Sequence, residues 1–175
     1  MKKLILIFPL LLTIILSIFL LIFLLQNKDP SKPPSALLNK DLPKFNLTSL
    51  FDEKDFLDNN NLNEKIVMIN FFASWCAPCK TEHHLFFKIK KQNPNLFLIG
   101  INFKDTNSNA IQYLTNNGNP YDFVAKDTQG LFGLELGVFG LPETFLINNS
   151  GKIIYKYIGP ITKKIIKNEI YPIIK

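Results

Sequence analysis

Apolar positions along the chain fall into two unlike regimes. Leu4 to Leu25 is a run of 22 residues with no charge, broken only by Pro9, Thr13 and Ser17. At about 1.5 Å per residue a helix of that length spans about 33 Å, enough to cross a hydrocarbon core of about 30 Å. It exceeds the apolar region of about 7–15 residues in a cleaved signal peptide, and Leu24-Leu25-Gln26-Asn27 offers no small-residue cleavage site. The pattern predicts one uncleaved transmembrane signal anchor over residues 1–25. Lys2 and Lys3 favour a cytoplasmic start, which puts everything after Gln26 outside. Residues 26–43 carry Pro30, Pro33, Pro34 and Pro43 among polar residues, the composition of an extended Pro-rich linker. Residues 44–175 are left for the folded domain.

Beyond residue 43 the apolar positions recur at strand and helix spacing. Residues 65–72 are β-branched and aromatic and predict a buried central strand. A helix is expected over 77–92, with Pro78 in its first turn and a stop before Asn93-Pro94. Residues 96–103 read as a second buried strand, and 107–116 as a helix closed by Asn117-Gly118. A short strand at 122–125 and a turn or short helix at 129–136 come next. Segments 144–148 and 152–158 form a hairpin around Asn149-Ser150-Gly151. A last helix is expected over 161–170, with Ile161, Ile165, Ile166 and Ile170 on one side. Residues 51–63 read as a short helix and loop near the sheet edge. Together these elements imply an α/β domain, a mixed sheet flanked by helices on both faces. Such a sheet binds and reacts at the carboxyl ends of its strands.

Composition narrows the function classes. The chain has 175 residues, 47 % of them hydrophobic, which excludes a disordered chain or a small disulfide scaffold. All 20 basic residues are Lys, so no guanidinium fork exists for bidentate phosphate recognition. The Lys are scattered among acids rather than clustered with aromatics, and the formal charge of +6 therefore does not indicate nucleic-acid binding.

The chemistry concentrates in one place. The only cysteines, Cys76 and Cys79, stand in the segment WCAPC between the central strand and its helix. Two thiols three residues apart at a helix start can close a small disulfide, and the helix amino terminus favours the thiolate of the first. Cys76 is then the nucleophile, and Cys79, one turn in, resolves a mixed disulfide. A purely structural disulfide is disfavoured, because so short a loop constrains the unfolded chain little. Zinc is the other alternative, with Cys76, Cys79, His83 and His84 as donors. Structural zinc sites draw ligand pairs from separate segments, and adjacent His83 and His84 diverge around a helix. Both read as solvated helix-surface residues. The Arg expected to activate a peroxiredoxin thiolate is missing, and so is the distal His expected of a copper chaperone. No bound cofactor or metal is required.

A second motif lies far along the chain. Strand, WCAPC, helix and a later Pro before a strand resemble a thioredoxin-like fold. Gly137-Val138-Phe139-Gly140-Leu141-Pro142-Glu143-Thr144-Phe145 resembles the GVxGxPETF signature of CcmG/DsbE-type proteins, the membrane-anchored thioredoxin-like reductases of cytochrome c maturation. Gly100-Ile101-Asn102-Phe103-Lys104-Asp105, Gly118-Asn119-Pro120-Tyr121 and Cys79-Lys80-Thr81-Glu82-His83 agree with it. The resemblance runs from about Ser35 to the end, and the anchor fits it too.

That resemblance implies a cis peptide at Pro142, with the Leu141 backbone exposed to pair with an extended client strand; Trp75 reads either as packing or as a ring edge that shapes the client groove. It implies Glu82 and Glu143 as the acidic residues near the dithiol. Asn70 stands six residues before Cys76, where ordinary thioredoxins carry a buried Asp. An amide cannot accept the proton, so acid–base work falls to Glu82, Glu143 or water. Ala77-Pro78 adds no charge between the cysteines, which favours a reductant over an oxidant. The expected activity is a periplasmic thiol–disulfide oxidoreductase on the inner membrane. Its implied clients are the haem-binding cysteines of apocytochrome c or a haem-ligation partner, and its implied electron donor is a membrane protein of the DsbD or CcdA type. The alternatives are a broader reductase of the TlpA or ResA type and a docking module with an incidental dithiol.

Overall fold

The structure, a computed structural model, describes residues 2–25 and 37–174. It divides into two compact units, residues 1–30 and 31–175. In the first, helix α1 (Lys2–Leu25) contains a window, Phe8–Leu25, of mean hydropathy 3.0 with no charged residue, a candidate membrane span. The Thr13 hydroxyl donates to Leu10 O at 2.9 Å, so its polar group is satisfied within the helix. Most of the expected linker, residues 26–36, lies outside the described residues.

The second unit is built on a five-stranded mixed sheet. In chain order it comprises β3 (Val67–Phe72), β4 (Phe97–Phe103), β5 (Phe123–Asp127), β6 (Glu143–Ile147) and β7 (Ile153–Ile158), arranged β5-β4-β3-β6-β7. Strands β3, β4 and β5 run parallel, while β6 is antiparallel to both β3 and β7. Central β3 is buried at all six positions, which is why it reads as a continuous apolar run rather than an alternation. The two parallel connections are helices α2 (Ala77–Gln92) and α3 (Asn107–Asn117). Both step outward in the same direction, and right-handed crossover puts them on the same face.

Each face has its own core. Met68, Phe72, Leu98 and Leu146 pack with Phe86 and Ile89 of α2, Leu114 of α3 and the C-terminal isoleucines. Ile69, Phe71, Ile99, Ile101 and Phe145 pack on the other face with Phe132 and Leu57. Phe132 comes from a short helix, α4 (Leu131–Glu135), within the expected 129–136 segment.

The N-terminal part of the domain departs from expectation. Residues 46–48 and 51–63 contain a second small sheet, β1 (Asn46–Thr48) paired antiparallel with β2 (Phe56–Asp58), followed by a 3₁₀ turn at Asn59–Leu62. Three-residue strands carry too few positions for a period to show. Asp58 and Asn61 close this turn reciprocally as a capping box. The ordered domain also begins before residue 44. Leu42 is buried, Asn39 N–H donates to Ile153 O, and Leu42 N–H donates to Gly151 O. A run rich in proline and polar residues thus ends in one buried leucine and a backbone pairing that composition does not reveal.

The closing helix differs too. It starts at Lys163, capped by Thr162, and runs as α5 (Lys163–Ile165), a π-helical turn (Ile166–Ile170) and α6 (Tyr171–Ile174). Pro160 and the Thr162 cap leave Ile161 in the preceding extended segment, where it is still buried. The wider turn keeps Ile166, Ile170 and Ile174 on the buried side at four-residue spacing.

One strand position, Gly100, leaves no room for a side chain. In the sheet Asn70 stands between Gly100 and Thr144. A Cβ at Gly100 would lie 2.7 Å from the Tyr121 ring, which is stacked on Phe72 and hydrogen-bonded to Asn70. Overpacking of this kind costs about 1–3 kcal/mol. Gly100→Ala is therefore expected to lower the unfolding free energy measured by urea denaturation by that amount. Gly140→Ala, with nothing within 4 Å of its Cβ, is expected to stay within about 0.5 kcal/mol of the parent.

Candidate active site

The dithiol segment leaves the carboxyl end of β3 and turns at once into α2. Cys76 is the N-cap of α2, and its Sγ accepts the Cys79 N–H at 3.2 Å. Pro78 occupies the first turn, where a missing N–H has no intrahelical partner to lose. Cys76 and Cys79 are disulfide-bonded and both only 3 % exposed. The loop is held from β4. Ser74 donates its N–H and Oγ to Asp105 at 2.7 and 3.0 Å, and Trp75 Nε1 donates to Lys104 O at 3.1 Å. Burial raises the Asp105 pKa, but hydrogen bonds from Ser74, Asn102 and Thr106 outweigh it and leave the carboxyl below its usual value. The Trp75 ring stays 60 % exposed beside the cysteines.

Beneath the disulfide lies a buried polar network. Glu82, three residues after Cys79 on α2, is 1 % exposed. Its Oε1 accepts from Asn70 Nδ2 at 3.0 Å and its Oε2 from the Ile161 N–H at 2.6 Å. Asn70 also donates to Thr144 Oγ1 at 3.2 Å and accepts from the Tyr121 hydroxyl at 2.9 Å. Burial pushes the Glu82 carboxyl up to about 8, against a smaller downward pull from the Ile161 and Asn70 hydrogen bonds. Burial and the Glu82 charge hold Tyr121 well above the usual phenol range, so its hydroxyl remains a donor to Asn70.

The second carboxylate is elsewhere. Thr144 faces α2, so its neighbour Glu143 points to the opposite face of the sheet, where Phe145 and Lys156 also lie. Glu143 is fully buried. Its Oε1 accepts the N–H groups of Phe139 and Gly140 at 2.7 and 3.2 Å. Its Oε2 lies 3.0 Å from Lys156 Nζ, a charge contact whose angles do not make it a hydrogen bond. Glu82 and Glu143 are thus not brought together at the dithiol.

Leu141–Pro142 is a cis peptide bond. Phe71 pairs with Glu143 across β3 and β6, so one step on Pro142 falls opposite Phe72, four residues before Cys76. Pro142 O accepts the Gly159 N–H at 2.9 Å. Among the described residues the Leu141 N–H and C=O have no hydrogen-bond partner. His83, read from sequence as a solvated helix residue, is instead buried. Its Nε2 lies 2.9 Å from Gly118 O and its ring meets Tyr113 edge-on at 5.1 Å, while burial lowers its pKa. Asp105, Tyr121 and Thr144 were not singled out from sequence. Each lies inside a stretch that carries the family resemblance, which is the signal that could have drawn attention to them.

A disulfide between helix N-cap and first turn, at the carboxyl edge of a thioredoxin-like sheet, defines a thiol–disulfide oxidoreductase. Comparison with known proteins agrees. The Redoxin family model matches residues 37–171. The chain is 37 % identical over 177 residues to the thiol:disulfide interchange protein DsbE of Escherichia coli K12, covering 99 % of this chain and 95 % of that one. It is 35 % identical to HelX of Rhodobacter capsulatus over 174 residues, covering 99 % and 97 %. A structure assigned as DsbE from Chlorobium tepidum shares the fold at TM-score 0.69 and 22 % identity, over 79 % of this chain and 98 % of that one. A secreted thiol-disulfide isomerase of Corynebacterium glutamicum does so at TM-score 0.70 and 21 % identity, over 85 % and 96 %. The chain belongs to the redoxin family and, within it, to the DsbE/HelX (CcmG-type) thiol:disulfide interchange proteins.

The raised Glu82 pKa has a consequence for stability. Between about 4.5 and about 8 the unfolded carboxyl is ionised while the folded one keeps its proton. The unfolded state binds fewer protons there, so the Glu82 contribution to stability falls as pH rises through that window and levels off above it. Urea midpoints of the oxidised protein are expected to decline relative to Glu82→Gln from pH 5 to 8. Parallel profiles would show that Glu82 titrates normally.

Proposed function

We propose that the protein is a membrane-tethered periplasmic reductase that opens disulfides in the haem-binding cysteines of apocytochrome c, or in a haem-ligation partner. The observation that carries this reading is the near full-length similarity to DsbE and HelX proteins, through both the WCAPC segment and the 137–145 motif. In the reduced protein the Cys76 thiolate, favoured at the amino end of α2, attacks one client sulfur. One client thiolate leaves, and a mixed disulfide joins client to Cys76. Cys79 then gives up its proton and attacks Cys76 Sγ, releasing the second client thiolate. Two electrons pass to the client, and the enzyme is left with the Cys76–Cys79 disulfide.

Glu82 is the carboxylate assigned to proton handling. A group titrating near 8 exists in both forms at neutral pH, as an acid–base partner for a thiol requires. Glu143, on the far face of the sheet, is assigned to holding the loop before Pro142. The free Leu141 amide offers an extended client segment a short β-type pairing, and the exposed Trp75 ring is assigned to the client groove. A membrane dithiol donor of the DsbD or CcdA type restores the reduced state. Residues 1–25 serve as the anchor, 26–36 as the tether, and the domain faces the periplasm.

The trapping experiment is direct. Cys79→Ser in its own membranes, acid-quenched, is expected to retain apocytochrome c or a haem-ligation protein on Cys76. A broad mixture of secreted proteins would instead indicate a general reductase of the TlpA or ResA type. The uncharged Ala77-Pro78 pair gives little extra stabilisation to a thiolate. The reduction potential is accordingly expected below about −150 mV, on the reducing side of DsbA at about −120 mV. Equilibration with glutathione measures it, and a higher value would contradict the reductant assignment.

A further inference from the structure

We infer that Lys156 is a positioning residue for client recognition: its buried pair with Glu143 holds the 137–141 loop so that Phe139 and the Leu141 peptide face the client in one arrangement. The inference rests on the reductase reading above and names the part of the chain that confers client selectivity.

Lys156 sits in the interior of β7 with its side chain only 4 % exposed. Its Nζ donates to Gly137 O at 2.6 Å, makes a long contact to Leu136 O at 3.5 Å, and lies 3.0 Å from Glu143 Oε2. Two backbone carbonyls thus accept from the ammonium, and the Glu143 carboxylate balances its charge. It also lies 5.3 Å from the Phe139 ring centroid and 5.1 Å from that of Phe145. Glu143 in turn accepts from Phe139 N–H and Gly140 N–H. Two buried side chains therefore engage four backbone groups of a single loop, all within the six residues before the cis proline.

Stability alone does not explain this pair. Taking two charges out of water costs several kcal/mol each, and well-packed apolar residues of similar volume often serve as well or better. What the pair supplies is conformation. Phe139 is 85 % exposed and stands between Val138 and Gly140 with Gly137 in the left-handed region at φ 59°, so packing does not hold it. The bonds to Glu143 and the Lys156 charge over its ring do. Neither side chain touches a cysteine; on the far side of the sheet from Asn70, they act on the client through the loop.

The test uses the full chain in detergent micelles and two oxidised substrates. One is a peptide with a Cys-x-x-Cys-His disulfide and extended flanks, and the other is hydroxyethyl disulfide, too small to contact the loop. Misplacing a recognition loop lowers kcat/KM for the client by about tenfold or more. Lys156→Met is expected to raise KM for the peptide by about that factor while kcat and the hydroxyethyl disulfide rate stay within about twofold. Lys156→Arg is expected to restore most of the peptide KM, since it keeps the charge and its donors. The double variant Lys156→Met/Glu143→Gln removes both charges, avoids an unpaired buried carboxylate, and is expected to show the same KM defect in a folded protein. An unchanged peptide KM in both Met variants overturns the inference and leaves the client reading intact. Equal losses on both substrates also overturn it, as the sign of a merely structural role. A parent protein that reduces the peptide no better than hydroxyethyl disulfide defeats the client reading and the inference together.

Discussion

The burial of one carboxylate, Glu82, is the constraint around which the dithiol side of the molecule is organised. A charge or acid at 1 % exposure survives only if its oxygens are met by donors, and both are, by Asn70 and by the Ile161 backbone. Meeting that demand fixes much else. Asn70 must stand in the middle of the central strand, and its own amide must be satisfied by Thr144 and Tyr121. Tyr121 must reach over β4, which requires glycine at position 100. The segment before the last helix must come close enough for Ile161 to donate, so the chain turns at Pro160 and the helix starts only after Thr162. One acid thus ties α2, β3, β6, the 118–122 loop and the C-terminal segment together behind the disulfide.

The two carboxylates that sequence places near the dithiol have separate surroundings, and their environments account for separate roles in the proposed reaction. Burial holds the Glu82 proton until about pH 8, because it outweighs the opposing pull of the Ile161 and Asn70 donors. Glu143 has a buried ammonium beside it and two backbone N–H groups on its other oxygen. The first environment favours a group that gives and takes a proton near neutrality. The second suits a fixed anchor for the loop before Pro142. Sheet alternation makes the division possible, since adjacent residues on β6 belong to opposite faces: Thr144 joins the proton network and Glu143 the loop clamp.

Much of this fold was legible in the sequence where burial is two-sided and elements are long. The run 65–72, the helix 77–92, and the parallel strand that follows emerge from apolar runs bounded by proline and glycine, and the structure has them within two residues. The hairpin β1–β2 was not legible, because three residues give no period and its partner is another three-residue strand. The π-helical turn was hidden because its isoleucines fit an ordinary helix nearly as well. At the site, Cys76 and Cys79 announce themselves through motif and spacing, and the cis bond before Pro142 through the family resemblance. The role proposed for Lys156 does not: a lysine in a strand reads as a solvated face, and only the folded structure shows it buried beside Glu143 on the face opposite Asn70. His83 failed for the same reason, since helical spacing does not reveal that Gly118 and Tyr113 cover it.

Carbon-detected NMR of the Glu82 side-chain carboxyl, titrated in the oxidised protein and assigned by its loss in Glu82→Gln, tests the central claim most directly. If burial outweighs the two donors, the carboxyl titrates near pH 8. A midpoint near the ordinary 4.5 would mean that Glu82 is ionised throughout the working range, and it would remove the proton store from beneath the dithiol.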